Sequence, residues 1–134
     1  METEQEFIEV RTTKHGVVEL RKDSILVFRP DVATFKEYNF EILGELLEVF
    51  IEMTDGVPRP YMCDNRYITG IIGKAEQAYI EQNFPKFATR AAMISNSNLL
   101  KIMVNSYNVF FKPKVPLKLF SNEQDAVKWL LTKR

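Results

Sequence analysis

The chain holds 134 residues, 46% of them hydrophobic and 27% charged, with eighteen Lys and Arg against eighteen Asp and Glu. That length suits one domain (1–134, with 1–14 as a tail or an extra strand) and hides roughly two-thirds of the surface the unfolded chain exposes. A single cysteine excludes an internal disulfide scaffold, no stretch approaches the ~18–20 apolar residues of a membrane span, and zero net charge argues against a general nucleic-acid binder.

The acidic start, Met1-Glu2-Thr3-Glu4-Gln5-Glu6, lacks the basic and apolar regions of a signal peptide, so a soluble cytoplasmic protein is expected. In Phe7–Thr13, Ile8 and Val10 alternate with charged residues as in a short strand. Lys14-His15-Gly16 signals a turn. Val18 and Leu20 alternate with Glu19 and Arg21, and Ile25-Leu26-Val27-Phe28 is β-branched and aromatic, which predicts an antiparallel hairpin. Pro30 takes the chain out of the sheet.

Thr34-Phe35-Lys36-Glu37 fits an S/T-x-x-E capping box. Behind it Phe35, Tyr38, Ile42, Leu46, Val49 and Met53 recur at spacings of three and four, predicting a helix over about 35–54 that ends at Asp55-Gly56. Gly44 lies inside it at ~1 kcal/mol against alanine, with close packing as a candidate reason. Tyr61 to Asp64 reads as a strand, 65–73 as a loop, and Lys74 to Asn83 as a helix with Ala75, Ala78 and Tyr79 inward and Pro85 at its end. Arg90 to Ile94 is apolar, as a parallel strand covered on both faces should be. Ser95-Asn96-Ser97-Asn98 is a turn and cap cluster before a helical stripe from Leu99 to Phe111. Leu117 to Phe120 is the last strand. Ser121-Asn122-Glu123-Gln124 reads as a second capping box, opening a helix whose inner face is Ala126, Val127, Leu130 and Leu131. The order β-β-α-β-α-β-α-β-α implies an α/β fold with a mixed sheet, an N-terminal antiparallel hairpin and later parallel strands.

The opening hairpin, the long helix, the strand end Cys63-Asp64-Asn65-Arg66 and the ending Phe120-Ser121-Asn122-Glu123…Ala126…Trp129-Leu130 resemble an uncharacterised bacterial SpoIIAA-like family with the STAS-like fold of anti-sigma-factor antagonists. The likeness runs from about His15 to Leu131 and rests on caps and core positions. It implies a non-enzymatic regulatory or interaction module acting on a partner protein or by self-association. Members of that type carry a phosphorylatable serine where the third strand meets the second helix. The matching stretch here, Thr69-Gly70-Ile71-Ile72-Gly73-Lys74, has no serine, so the usual phospho-switch is not expected.

In open α/β sheets ligands gather beyond the carboxyl ends of parallel strands, near a topological switch point. That places Asp64, Asn65, Arg66, Thr69, Lys74, Ser95, Asn96 and Ser97 at one end of the fold, with Ser121 beside them, as a polar recognition patch. Each alone reads equally as a residue satisfying loop amides or capping a helix. Cys63 on an interior strand reads as a small hydrophobe. His15, the single histidine, reads as remote from that end, so no Ser-His or Cys-His relay assembles. No metal site is expected, because one His and one Cys fall short of a zinc set, and Asp31, Asp55 and Asp64 share no metal-loop spacing. No cofactor is expected either. Phe40, Leu43, Leu47 and Phe50 widen the first helix's stripe beyond one sheet face. This points to a partner surface or, by analogy with lipid-handling domains of related fold, to the wall of an apolar pocket.

Overall fold

The computed structural model describes residues 7–35, 39–66, 73–96, 101–102, 104 and 114–132. Six strands form one sheet: β1 (Phe7–Thr13), β2 (Gly16–Arg21), β3 (Leu26–Pro30), β4 (Arg59–Asp64), β5 (Ala88–Ile94) and β6 (Leu117–Phe120). They lie side by side in chain order. β1, β2 and β3 pair antiparallel; β3, β4, β5 and β6 pair parallel. The expected mixed sheet is therefore present, with the extra N-terminal strand. Among the described residues the strand order never reverses, so these strands form no switch-point crevice of the kind expected from the sequence.

Helices α1 (Phe40–Thr54) and α2 (Lys74–Asn83) cover one face, and α3 (Glu123–Leu130) covers the other. Lys101, Ile102 and Val104 are also helical. On the first face Val18, Leu20, Leu26, Phe28, Tyr61, Cys63 and Ala91 pack against Leu46, Phe50 and Met53. Phe50, Tyr61, Phe84 and Phe87 form an aromatic cluster with ring centroids 4.9–6.3 Å apart, a spacing that adds to their area burial. On the second face Ile25, Val27, Met62, Ala92 and Ile94 meet Ala126 and Leu130. Trp129 closes this layer, with Phe120 at 5.6 Å and the Arg90 guanidinium 5.2 Å over its ring.

Several local expectations are corrected. Thr34 does not cap α1; its hydroxyl donates to the Lys14 carbonyl at 2.8 Å, and the helix starts later, with the Asn39 side chain accepting from the Ile42 amide at 2.9 Å. Glu37 and Tyr38 fall outside the described residues. At α3 the cap is Asn122 and not Ser121: its Oδ1 accepts from the Asp125 amide at 2.8 Å while its Nδ2 donates to the Asp125 carboxylate at 3.1 Å. Both caps are asparagines nearer the apolar stripe than the hydroxyl residue that fits the box, Asn39 five residues past Thr34 and Asn122 one past Ser121. Ala75 and Ala78 are exposed, and α2 faces inward through Tyr79, Ile80 and Asn83. Leu131 is exposed beyond the end of α3. In β1 the apolar side chains Ile8 and Val10 face solvent, because Glu9 and Arg11 occupy the α1 side, where Arg11 pairs with both Glu9 and Glu52 of α1.

Two glycines make opposite predictions. Gly16 has φ +142, and a Cβ there would sit 2.2 Å from the Arg29 carbonyl oxygen. Gly16→Ala is expected to cost at least ~2 kcal/mol in urea unfolding. At Gly44 a Cβ would meet only the Tyr79 hydroxyl, at an ordinary 3.7 Å, so close packing does not explain this glycine. Gly44→Ala is expected to be neutral or stabilising by up to ~1 kcal/mol.

Candidate functional site

The parallel register brings the expected rim together. Asp64 stands beside Ile94, and Ile94 beside Phe120. The amide of Asn65 donates to the Ile94 carbonyl and that of Ser95 to the Phe120 carbonyl, each at 2.9 Å. Asp64, Ser95 and Ser121 thus follow the ends of three adjacent strands at one level.

A cluster of ion pairs surrounds Asp64, on the face that carries α3. Alternation turns Arg29 of β3 and Asp64 of β4 toward that face, and Glu123 is the first residue of α3, where a negative charge meets the positive end of the helix dipole. Arg29 grips Glu123 with two nitrogens at 2.6 and 3.2 Å and reaches Glu19 of β2 at 3.2 Å. Arg66 grips Asp64 the same way, at 2.7 and 2.9 Å. Arg29 lies 3.7 Å from Asp64, and Arg66 lies 3.6 Å from Glu123, which joins the five charges into one network. The bidentate Arg66 bond holds the Asp64 carboxyl below the usual carboxylate range, against burial, which pushes it up. Arg29 does the same for Glu123.

The other expected residues divide. Asn65 is buried; its Oδ1 accepts a hydrogen bond from the Cys63 thiol at 3.3 Å. Ser95 is buried and lines an open depression with Lys101, Val104, Lys118 and Ser121. Asn96 is exposed. Lys74 is exposed at the start of α2, on the opposite face of the sheet from the ionic cluster. Thr69 and Ser97 lie outside the described residues. Arg29, Glu19 and Glu123 were not anticipated. The signal was available for Arg29, which directly follows the apolar run of β3 as Asp64 follows that of β4.

His15 is corrected. Its turn lies at the same end of the sheet as Asp64, since Gly16 pairs with Pro30 and the His15 carbonyl accepts from the Asp31 amide. The ring is buried and bonds through Nε2 to Glu45 of α1, on the face away from Asp64. That bond holds the Glu45 carboxyl below its ordinary value. The ring is thereby committed to α1 and does not reach Cys63 or Asp64 to form a relay. Cys63 is buried, and among the described residues no group of three His, Cys, Asp or Glu could hold a metal. None of the described helices is long and apolar enough to cross a membrane.

A cavity of about 70 Å³ lies between α1, α2 and the sheet, walled by Phe28, Leu43, Leu46, Phe50, Tyr61 and Ile80. It matches the apolar pocket expected of the wide α1 stripe in position.

The rim carboxylates have folded-state values below those of the unfolded chain. Their stabilisation is therefore complete above the ordinary carboxylate range near pH 4 and is lost as pH falls through the lower folded values. Unfolding free energy is expected to stay level from about pH 7 to 5 and then fall. Glu123→Gln is expected to cost about 1 kcal/mol or less at pH 7, since the pair is partly screened, and to shallow the acid limb. Urea titrations across that range check both.

A family model described as a domain of unknown function, DUF7793, matches residues 19–134. The chain belongs to that family. No curated protein matches. Among solved structures, an uncharacterised protein of the DUF3478 family from Shewanella loihica, described as having a SpoIIAA-like fold, is similar with a TM-score of 0.60 at 15% identity, over 91% of this chain and 90% of that one. The chain therefore has the SpoIIAA-like fold expected from its sequence.

Proposed function

We propose that this DUF7793 chain is a non-enzymatic cytoplasmic interaction module that docks a partner protein through α2 and the adjoining rim at the end of β4. The observation that carries the reading is α2 itself. None of its residues is buried, and Ala75, Ala78 and Gln82 make an exposed face of small and uncharged side chains beside Lys74. A partner can approach such a face closely, and one that reaches past the end of β4 meets the Asp64–Arg66 pair on the other side of the sheet, which supplies orientation through charge. The rim carboxylates favour binding over acid–base chemistry, because arginine pairing makes each a weak base at neutral pH. The resemblance to anti-sigma-factor antagonists points the same way, with docking in place of serine phosphorylation.

Lys74→Glu and Ala78→Arg change exposed positions and are expected to leave stability within about 0.5 kcal/mol. In affinity capture from the source cell, the wild-type chain is expected to retain a partner that both variants lose. Equal capture by all three chains would remove α2 as the docking face.

A small apolar ligand is the second reading, and the cavity beneath α2 supports it. At about 70 Å³ it is roughly half the ~150 Å³ that admits benzene. A ligand of a few heavy atoms fits it as it stands, whereas a lipid chain requires α2 to move outward. Native mass spectrometry of freshly purified protein separates the two: a bare chain mass supports the docking module alone, and a retained ligand supports the pocket.

A further inference from the structure

Among the described residues, β1 is paired on one side only. The register decides which of its backbone groups face outward. In β2 the Arg21 amide donates to the Ile25 carbonyl, and the His15 carbonyl just before the strand accepts from the Asp31 amide. Odd-numbered positions there turn toward β3, so Gly16, Val18 and Leu20 turn toward β1. Their partners Thr13, Arg11 and Glu9 face inward in return. Val10 and Thr12 are left presenting N–H and C=O to the open edge. The side chains of Ile8 and Val10 are 63% and 53% exposed, on the face where α3 lies chiefly over β4, β5 and β6.

We propose that β1 pairs antiparallel with β1 of a second copy of this chain, about a two-fold axis at Val10, joining the two sheets into one. Charge selects this register. A symmetric antiparallel ladder must set outward-facing residues against outward-facing residues, which leaves registers centred near Glu9, Val10 or Arg11. Centring on Glu9 places two glutamates opposite each other, and centring on Arg11 places two arginines opposite; both are unfavourable. Centring on Val10 places each Glu9 opposite Arg11 of the other copy. These are non-hydrogen-bonded pairs, where side chains stand closest. Arg11 already holds Glu9 at 2.8 Å and Glu52 at 2.7 Å, and its five donors can take the added carboxylate.

Val10 then meets Val10 through two backbone hydrogen bonds, and Ile8 falls beside Thr12, so the apolar side chains form a strip across the axis. The one-residue bulge between Phe7 and Glu9 ends the ladder near Ile8. An isologous pair consumes the edge, so association closes at two. A ladder this short buries less than the ~1,200 Å² of a stable complex, which makes the dimer a weak one. The proposal is independent of the docking face at α2, because β1 lies three strands away from β4.

Sedimentation velocity on the full chain from about 10 µM to about 1 mM covers the range where such an interface titrates, and a monomer–dimer equilibrium is expected. Val10→Pro removes the outward N–H from an edge strand, a place where proline is tolerated. It is expected to give a monomer with an unchanged circular dichroism spectrum. Glu9→Arg and Arg11→Glu each set like charges across the axis, so each chain alone is expected to be monomeric. An equimolar mixture of the two is expected to dimerise again, because each chain then meets its complement. A wild-type chain that stays monomeric, leaving the edge to a different partner, overturns the proposal. So does a dimer unchanged by Val10→Pro, or a mixture no more associated than its components.

Discussion

β4 is buried from both sides, and the rest of the chain is arranged around that constraint. Tyr61 and Cys63 face α1 and the aromatic cluster; Met62, between them, faces α3. A slip of one residue would exchange the two sets and turn each against the wrong layer. Because β3 and β5 pair in parallel with β4, this fit also sets the height at which the neighbouring strands end. Phe28 comes to rest beside Cys63, Ile94 beside Asp64 and Phe120 beside Ile94. The polar rim is the line where the buried strands run out, and Arg29, Asp64, Ser95 and Ser121 are the first side chains past it.

A formal charge of zero conceals a local organisation. The Arg29 network ties β2, β3, β4 and α3 together, Arg11 ties β1 to α1, and His15 with Lys14 ties the hairpin turn to α1. Exposed pairs of this kind contribute little stability one by one. Their effect is directional, fixing how α1 and α3 sit on the sheet. Among the described residues no ion pair reaches α2. α2, which has no fully buried residue, is thus the helix without an ionic tie to the sheet, and its outer face is open to approach.

The strands and helices were legible because each has a period and a clear polarity. β1, β6 and α2 begin and end where alternation, turn residues and proline place them, while β2 starts inside the expected turn, at Gly16. The helix caps were not legible from the box pattern alone. Thr34 and Ser121 both satisfy S/T-x-x-E/Q, but Thr34 is committed to the hairpin turn, and Asn39 and Asn122 lie where extended backbone meets the apolar stripe. The orientation of β1 was hidden for a different reason. Alternation says that one face is apolar but not which face has a cover, and the arginine pairing with Glu52 of α1 decides it. Asp64 and Ser95 are legible as residues at strand ends, whereas the pair of Arg29 with Glu123 joins residues far apart in the chain. Only the register, with α3 lying across β4 and β5, brings them together.

The loose seat of α2 and the cavity beneath it are one feature seen from two sides. Tyr79, Ile80 and Asn83 line the space over Phe28 and Leu46 without filling it, and Tyr79 rests edge-on against the exposed ring of Phe40, 5.7 Å away. Unfilled volume in an apolar wall costs ~24 cal/mol per Å³. The lining of this half-open space of about 70 Å³ therefore forgoes packing energy in the free chain. A partner pressing on the Ala75–Ala78 face would drive α2 toward the sheet and recover part of that energy, while a small ligand would recover it by occupying the space. Either event acts on the same helix. Occupancy of the cavity and docking on the outer face would then be coupled, with a filled cavity holding α2 away from the position that a pressing partner requires.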